Sequence, residues 1–295
     1  MMQFFFANQA LFDFFLLSLG FAYSQQIVLR AGVFSVATIG FVAIGAYFAG
    51  YLVTQAGLGG LAAVLTGTVV AGLAGLLLSV PLSRLRGVFQ AIATLAFVEI
   101  VLNALYYFEP YTGGAMGMNR IPKLVQTWHL LVAVGLVIYL VWAIGRSGIG
   151  RAWDALRQDE TVAACLGVSI RKYHTLAFVL SGAIGGLFGS MQGLYFYTIT
   201  PEQFGFAAVV SVLTTIVLGG RATLAGPIIG AVILAVLPEL ARPLAENRLF
   251  LHGAILLGVI VFIPDGIGDL LVHRLRRWRI ARTAPAQQEK IHGVT

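Results

Sequence analysis

One acidic side chain lies in the middle of an apolar stretch of this sequence. Glu99 falls eleven residues after the start of the stretch 88–108, which is long enough to cross a bilayer as a helix. An ionisable group at that depth is costly and is expected to face the interior of a helix bundle. Asn103 would share its helix face, and Gln90 and Thr94 form a second pair with the same spacing. The four residues are candidates for a translocation path, and the alternative for Glu99 is a structural hydrogen bond to a neighbouring helix.

A glycine-rich segment, 112–118, follows this stretch. Gly113 and Gly114 could leave backbone N–H groups free to bind a carboxylate, which makes them two further candidates for the path. The alternative is a tight turn that requires glycine for its backbone conformation.

Motifs of catalysis, metal binding and nucleotide binding are missing from the sequence. His129, His174 and His252 lack the spacing of a metal site, and Ser181 lacks the flanking glycine of a nucleophile motif. No Walker A motif occurs, so ATP would have to be bound by a separate chain. We therefore expect no enzyme activity, no metal and no cofactor in this chain.

The loop 146–172 carries mixed charges and a tryptophan. A helix is predicted from Gly150 to Leu166, ended by Gly167. A connector or a helix on the membrane surface is one interpretation, but the acidic residues would be repelled by anionic lipid. Docking of a protein partner fits better, with Trp153 and Leu156 as its apolar anchors. The candidate docking residues are Gly150, Arg151, Trp153, Leu156, Arg157, Asp159, Glu160 and Gly167.

Composition predicts an all-α, polytopic membrane helix bundle. Hydrophobic residues make up 59% of the 295 residues and charged ones 11%, far below the share that a soluble domain uses to cover its surface. We predict a single transmembrane domain over 1–282 and a disordered polar tail over 283–295. Nine crossings are expected, within a range of 8–10, and either short segment within 206–238 could be re-entrant. The predicted spans are 8–29 (a retained span, not a signal peptide), 32–53, 58–81, 88–108, 128–145, 173–196, 206–219, 224–238 and 248–270.

Basic residues give the predicted orientation. With the N-terminus outside and the C-terminus in the cytoplasm, 15 of the 19 Lys and Arg residues lie inside and 4 outside. The net charge of +7 is thereby explained without nucleic acid as a partner. Small residues spaced four apart, including Gly182-Gly186-Ser190, Gly185-Gly189-Gly193, Gly67-Ala71-Gly75 and Gly226-Gly230, predict closely packed helices.

Five ordered blocks of sequence stand out: Gly45-Ala46-Tyr47; 84–89 with 94–100; 112–117; 147–160 with 163–167; and 200–204 with 218–220 and 225–227. Together they resemble the permeases of ATP-binding cassette importers for branched-chain amino acids, and the fourth block resembles the family's cytoplasmic coupling loop. Two departures are Arg221, where the family usually has glycine, and Pro264-Asp265-Gly266, where it tends to have Pro-Arg-Gly.

The resemblance implies a permease subunit in a bacterial plasma (inner) membrane, surrounded by lipid. It implies a second homologous permease chain, two ATPase subunits that bind ATP and Mg²⁺, and an extracytoplasmic solute-binding protein. The expected cargo is a branched-chain or other hydrophobic amino acid. Two alternatives stay open: an autonomous secondary transporter of small polar solutes, and a permease of the same kind for urea or short amides.

Overall fold

The structure is a computed structural model that describes residues 2–221 and 223–240. It confirms the all-α prediction, since the described residues contain eleven α-helices and no β-strand beyond one isolated bridge, Met118–Ile199. The helices are α1 (Met2–Arg30), α2 (Thr38–Thr54), α3 (Gly60–Leu82), α4 (Val88–Tyr107), α5 (Glu109–Thr112), α6 (Thr127–Arg146), α7 (Gly148–Gln158), α8 (Glu160–Cys165), α9 (Ile170–Tyr195), α10 (Phe206–Gly219) and α11 (Gly226–Leu240).

The helices are long and apolar enough for a multi-pass membrane protein. Within the described residues, six segments meet the length and hydropathy of a membrane span, namely Gln9–Arg30, α3, α4, α6, α9 and Pro201–Gly219. Two shorter apolar helices, α2 and α11, accompany them. The predicted span 248–270 and the predicted tail 283–295 lie outside the described residues.

The second predicted span starts later than expected. It was predicted at residue 32, but α2 begins at Thr38. Gly32 has φ +86°, a left-handed conformation that ends α1 and that a residue with a side chain rarely adopts. Residues 31–37 therefore form a separate loop between two helices.

Helix α9 lies between α2 and α3, and its small residues let it approach both neighbours closely. Gly182 and Gly186 meet α3 at Ala71 and Gly67, whereas a Cβ on Gly189 would overlap the carbonyl group of Val42 on α2. Ser190 donates a hydrogen bond across the same contact to the carbonyl oxygen of Gly45, at 3.0 Å. The predicted close-packed seams are confirmed, and the small residues of α9 bring its backbone close to both α3 and α2. The same approach occurs at Gly185 and Gly193 against α2, and at Gly75 against the α9 backbone.

Helices α10 and α11 form a hairpin. Side chains of α1 donate hydrogen bonds to the turn between these two helices. Side chains at Gly219 or Gly230 would overlap the backbone of the opposite helix. The hydroxyl of Tyr23 donates to the carbonyl oxygen of Leu224 at 2.8 Å, and the amide of Gln26 donates to that of Thr223 at 2.6 Å. The predicted division of 206–238 into two segments is confirmed.

We expect Gly189→Val to destabilise the fold strongly, because the added side chain has no room between α9 and α2. Overpacking of this kind typically costs about 1–3 kcal/mol. Gly135→Val on α6 is the matched control, since a Cβ there meets nothing within 4 Å. The measurement is the thermal unfolding midpoint in detergent. Equal midpoints for the two variants would contradict the close contact.

Candidate functional site

The helix bundle has two ends, and different segments lie at each of them. Helices α7 and α8 lie at one end, which we call the α7–α8 end. There Arg30, at the end of α1, lies 3.4 Å from a carboxylate oxygen of Asp154, and Arg86 lies 3.6 Å from one of Glu160. The opposite end holds the Met118–Ile199 bridge. Two of the basic residues that the charge pattern groups on one side, Arg30 and Arg86, are thus paired with acidic residues of the candidate docking segment.

Helix α7 is packed into the chain through its apolar face. Trp153 is 1% exposed and Leu156 is 2% exposed, and the indole N–H of Trp153 donates to the carbonyl oxygen of Tyr173 at 3.1 Å. Gly150 lies against the backbone of Ile144 and Gly145 at the end of α6. Trp153 and Leu156 were expected to be exposed anchors for a partner. Their side chains instead fix α7 to α6 and α9, because the loop folds back on its own chain.

The docking segment is two helices and not the single predicted one. Asp159 has φ −158° and ψ 115°, which breaks the helix, and its carboxylate accepts the N–H groups of Thr161 at 2.7 Å and Val162 at 3.0 Å. These two N–H groups lower the pKa of Asp159, that of Val162 most. Because its carboxylate binds these two N–H groups, Asp159 caps the start of α8 and does not continue α7.

Gly167 ends α8 as predicted. It has φ +83°, and the N–H of Val168 reaches back to the carbonyl oxygen of Ala163 at 3.0 Å. This arrangement satisfies a carbonyl group that the helix end would otherwise leave free.

The exposed apolar surface of this segment lies on α8. Val162 is 56% exposed and Leu166 is 76% exposed, and Ala164 and Cys165 between them are exposed as well. We call these four residues the α8 patch. Arg151, at the other end of the segment, is exposed and Arg157 is partly exposed. The α8 patch is therefore the part of the loop that a second protein could reach with apolar contacts.

The four polar residues of α4 divide between two faces. Gln90 and Thr94 are buried, and the hydroxyl of Thr94 accepts the N–H of Val36 at 3.0 Å. Glu99 and Asn103 are exposed on the outside of the chain, contrary to the expectation that Glu99 faces the bundle interior. The amide of Asn103 donates to the carbonyl oxygen of Glu99 at 2.8 Å. Within the described residues the carboxylate of Glu99 has no hydrogen bond or ion pair, so a structural bond to a neighbouring helix is not observed there.

The glycine segment after α4 forms a tight turn. Gly113, Gly114 and Gly117 all have positive φ. The N–H of Gly113 donates to the carbonyl oxygen of Glu109 and that of Gly114 to the hydroxyl of Thr112. Because these N–H groups are used within the chain, the turn geometry accounts for the glycines and leaves neither N–H for a carboxylate ligand.

A cleft of about 150 Å³ lies between α1, α2, α9 and α10. Among the described residues that line it, the polar ones are Ser18, Gln192, Gln203, Ser211 and Thr215, and none is ionisable or belongs to α4.

The sequence interpretation missed a second acidic residue within a span. Asp13 is fully buried on α1, where one carboxylate oxygen accepts hydroxyl groups of Tyr195 at 2.7 Å and Thr127 at 3.0 Å. The bonds join α1, α6 and α9 at the end opposite α7 and α8. Asp13 could have been found by the same sequence signal as Glu99, which is a carboxylate within an apolar stretch. It was missed because it lies close to the start of its stretch.

Comparison with known proteins identifies a shared family. Residues 7–264 match the model of the branched-chain amino acid transport system permease component. The chain is 33% identical over 262 residues to the high-affinity branched-chain amino acid transport system permease protein LivM of Escherichia coli, over 77% of this chain and 62% of that protein. The same protein of Salmonella typhimurium matches equally. The high-affinity branched-chain amino acid transport system permease protein LivH of Salmonella typhimurium is 27% identical over 171 residues, which are 57% of this chain and 55% of LivH.

The chain thus spans less than two thirds of the length of these curated relatives. No solved structure matches it.

The capping contact of Asp159 predicts a pH dependence of α8. The pKa of this carboxylate is lower in the folded chain than in the unfolded one, so its contribution is present above the unfolded value. It is lost as the pH falls through the folded value. Hydrogen-exchange protection of residues 160–168 should therefore decrease in acid. Asp159→Asn should keep protection at all pH values, because its side-chain oxygen still caps the helix, and Asp159→Ala should lack it throughout. Identical profiles for the wild type and Asp159→Asn would contradict this role.

Proposed function

This chain belongs to the family of permease components of branched-chain amino acid transport systems, and we propose from that premise that it is the membrane-spanning permease subunit of an ATP-driven importer in a bacterial plasma membrane. Its cargo is a branched-chain or other hydrophobic amino acid. ATP and Mg²⁺ are bound by two separate ATPase subunits, a solute-binding protein delivers the cargo from outside, and a second permease chain completes the path.

The proposal rests mainly on the α7–α8 segment. This segment is packed tightly against the rest of the chain through α7 and exposes an apolar patch on α8. Trp153 and Leu156 hold α7 inside the chain, and Arg30 and Arg86 pair with acidic residues of the segment. The α8 patch is left exposed at the same end. Force applied to the patch by an ATPase is passed to α9 through packed contacts, since closely packed interiors deform little.

The second permease chain is supported by the relatives themselves. In Salmonella typhimurium, LivM and LivH are each named a high-affinity branched-chain amino acid transport system permease protein, and this chain is similar to both. A partner of the same family would share the fold described here. The cargo is proposed from the family description and the names of those relatives.

Val162→Ser with Leu166→Ser should weaken association with the ATPase subunits or uncouple hydrolysis from transport. Apolar contacts at the centre of an interface carry most of its free energy, typically about 2 kcal/mol or more at a single hot spot. Arg171→Ser, exposed at the start of α9, is the control, because an exposed charge at an interface rim contributes less. The measurements are co-purification of the ATPase and leucine-stimulated ATP hydrolysis in reconstituted vesicles. Unchanged association and coupling in the double variant would exclude the α8 patch as the docking surface.

Orientation is tested by thiol labelling. Cys165 is the only cysteine of the chain and is exposed at the α7–α8 end. It should react with an impermeant maleimide only from the cytoplasmic side. Met116→Cys in a Cys165→Ser background should react from outside, because Met116 is exposed in the loop at the opposite end. Labelling of the two positions from the reverse sides would invert the charge-based orientation.

A further inference from the structure

One carboxylate is enclosed at the end of the bundle opposite α7 and α8. Asp13 of α1 is 0% exposed, and its Oδ2 accepts the hydroxyl groups of Tyr195 on α9 at 2.7 Å and Thr127 on α6 at 3.0 Å. Its other oxygen, Oδ1, is buried and has no hydrogen-bond partner among the described residues. We call Asp13, Thr127 and Tyr195 the Asp13 site.

Hydrogen bonds around the Asp13 site determine which carboxyl oxygen is left for a ligand. The amide of Gln9 donates to Oγ1 of Thr127 at 2.9 Å, so the Thr127 hydroxyl is left to donate its own hydrogen to Oδ2 of Asp13. Oδ2 is therefore the accepting oxygen of the carboxyl group and has two donors. Oδ1 is the oxygen on which a proton or another cation would bind.

The described residues bring no positive charge onto this carboxylate. Lys123 lies beside the site, but its ammonium group is placed over the Tyr195 ring, 4.2 Å from the ring centre, and makes no ion pair with Asp13. Both ion pairs found in the described part of the chain lie at the α7–α8 end. Hydroxyl groups are neutral, and a buried carboxylate that nothing neutralises is strongly disfavoured. The Asp13 site therefore needs one positive charge that the described residues do not supply.

We propose that Oδ1 of Asp13 binds a monovalent cation, which neutralises the carboxylate between α1, α6 and α9. A proton and a sodium ion share this chemistry. The enclosure of Oδ1 favours the proton, because a water molecule does not reach this oxygen and a proton binds without any side chain moving. With the cation bound, Asp13 joins the three helices as a neutral group, and loss of the cation would leave a bare charge at their junction and weaken it. The site involves neither the cargo nor the ATPase contact, so it is independent of the function proposed above.

Infrared spectroscopy of the purified chain tests for the proton. A protonated carboxyl group has a carbonyl stretching band that an ionised carboxylate lacks. At neutral pH the wild type should show this band, and Asp13→Asn should lose it. Asp159→Asn is the matched control and should keep the band, because Asp159 is exposed at the α7–α8 end. Tyr195→Phe should keep the band but shift it to higher frequency, because one hydrogen bond to Oδ2 of Asp13 is lost.

Thermal unfolding of the same chain tests for sodium. If Asp13 is ionised, replacing choline chloride by sodium chloride should raise the unfolding midpoint of the wild type and leave that of Asp13→Asn unchanged, because a ion that binds only the folded chain stabilises it. An ionised Asp13 with equal midpoints in the two salts would overturn the proposal. Should Asp13→Asn fail to fold, the wild type and Tyr195→Phe decide the question. The absence of a carbonyl band that shifts between these two, together with no effect of sodium on the wild type, would overturn the proposal as well.

Discussion

The fold depends on the close approach of α9 to α2 and α3. Inside a bilayer the hydrophobic effect does not drive one apolar helix against another, so association must come from packing and from hydrogen bonds between helices. Glycines at 186 and 189 bring the α9 backbone against its neighbours, and Ser190 adds a hydrogen bond to the carbonyl oxygen of Gly45. Helices with large residues at these positions could not reach the same van der Waals contact.

That contact also determines what the α7–α8 end can transmit. Trp153 is bonded to the carbonyl oxygen of Tyr173, near the start of α9. Gly32, in the loop between α1 and α2, lies against the backbone of Arg157 and allows α7 to sit close to that loop. Helix α7 is therefore in contact with both α9 and the α1–α2 loop, and α9 in turn lies against α2 and α3 at its glycines.

The sequence predicted much of this architecture but not the directions in which side chains point. Apolar runs located the spans, glycine spacing located the seams, and Gly167 located the end of α8, because each depends on local rules. The sides of α4 could not be assigned in the same way: in lipid both the packed and the bare face of a helix are apolar, so hydrophobic periodicity carries little information. Burial of Trp153 was missed for a related reason, since its partner Tyr173 is twenty residues away. The break at Asp159 was missed because a helix-forming composition hid one capping side chain.

Asp13 and Glu99, two carboxylates within the described spans, show how a polar group bonded inside the fold differs from one left on its surface. Placing such a group in hydrocarbon costs at least about 2.5–3.5 kcal/mol. Asp13 recovers part of this cost inside the chain, where Tyr195 and Thr127 donate to one oxygen and three helices are joined as a result. Its other oxygen is buried and accepts no hydrogen bond from the described residues. Glu99 recovers none of the cost from the described residues, although it lies deeper in its span. The described residues leave Glu99 on the outer face of α4, and in a membrane a carboxylate at that depth must be covered by water or by further protein.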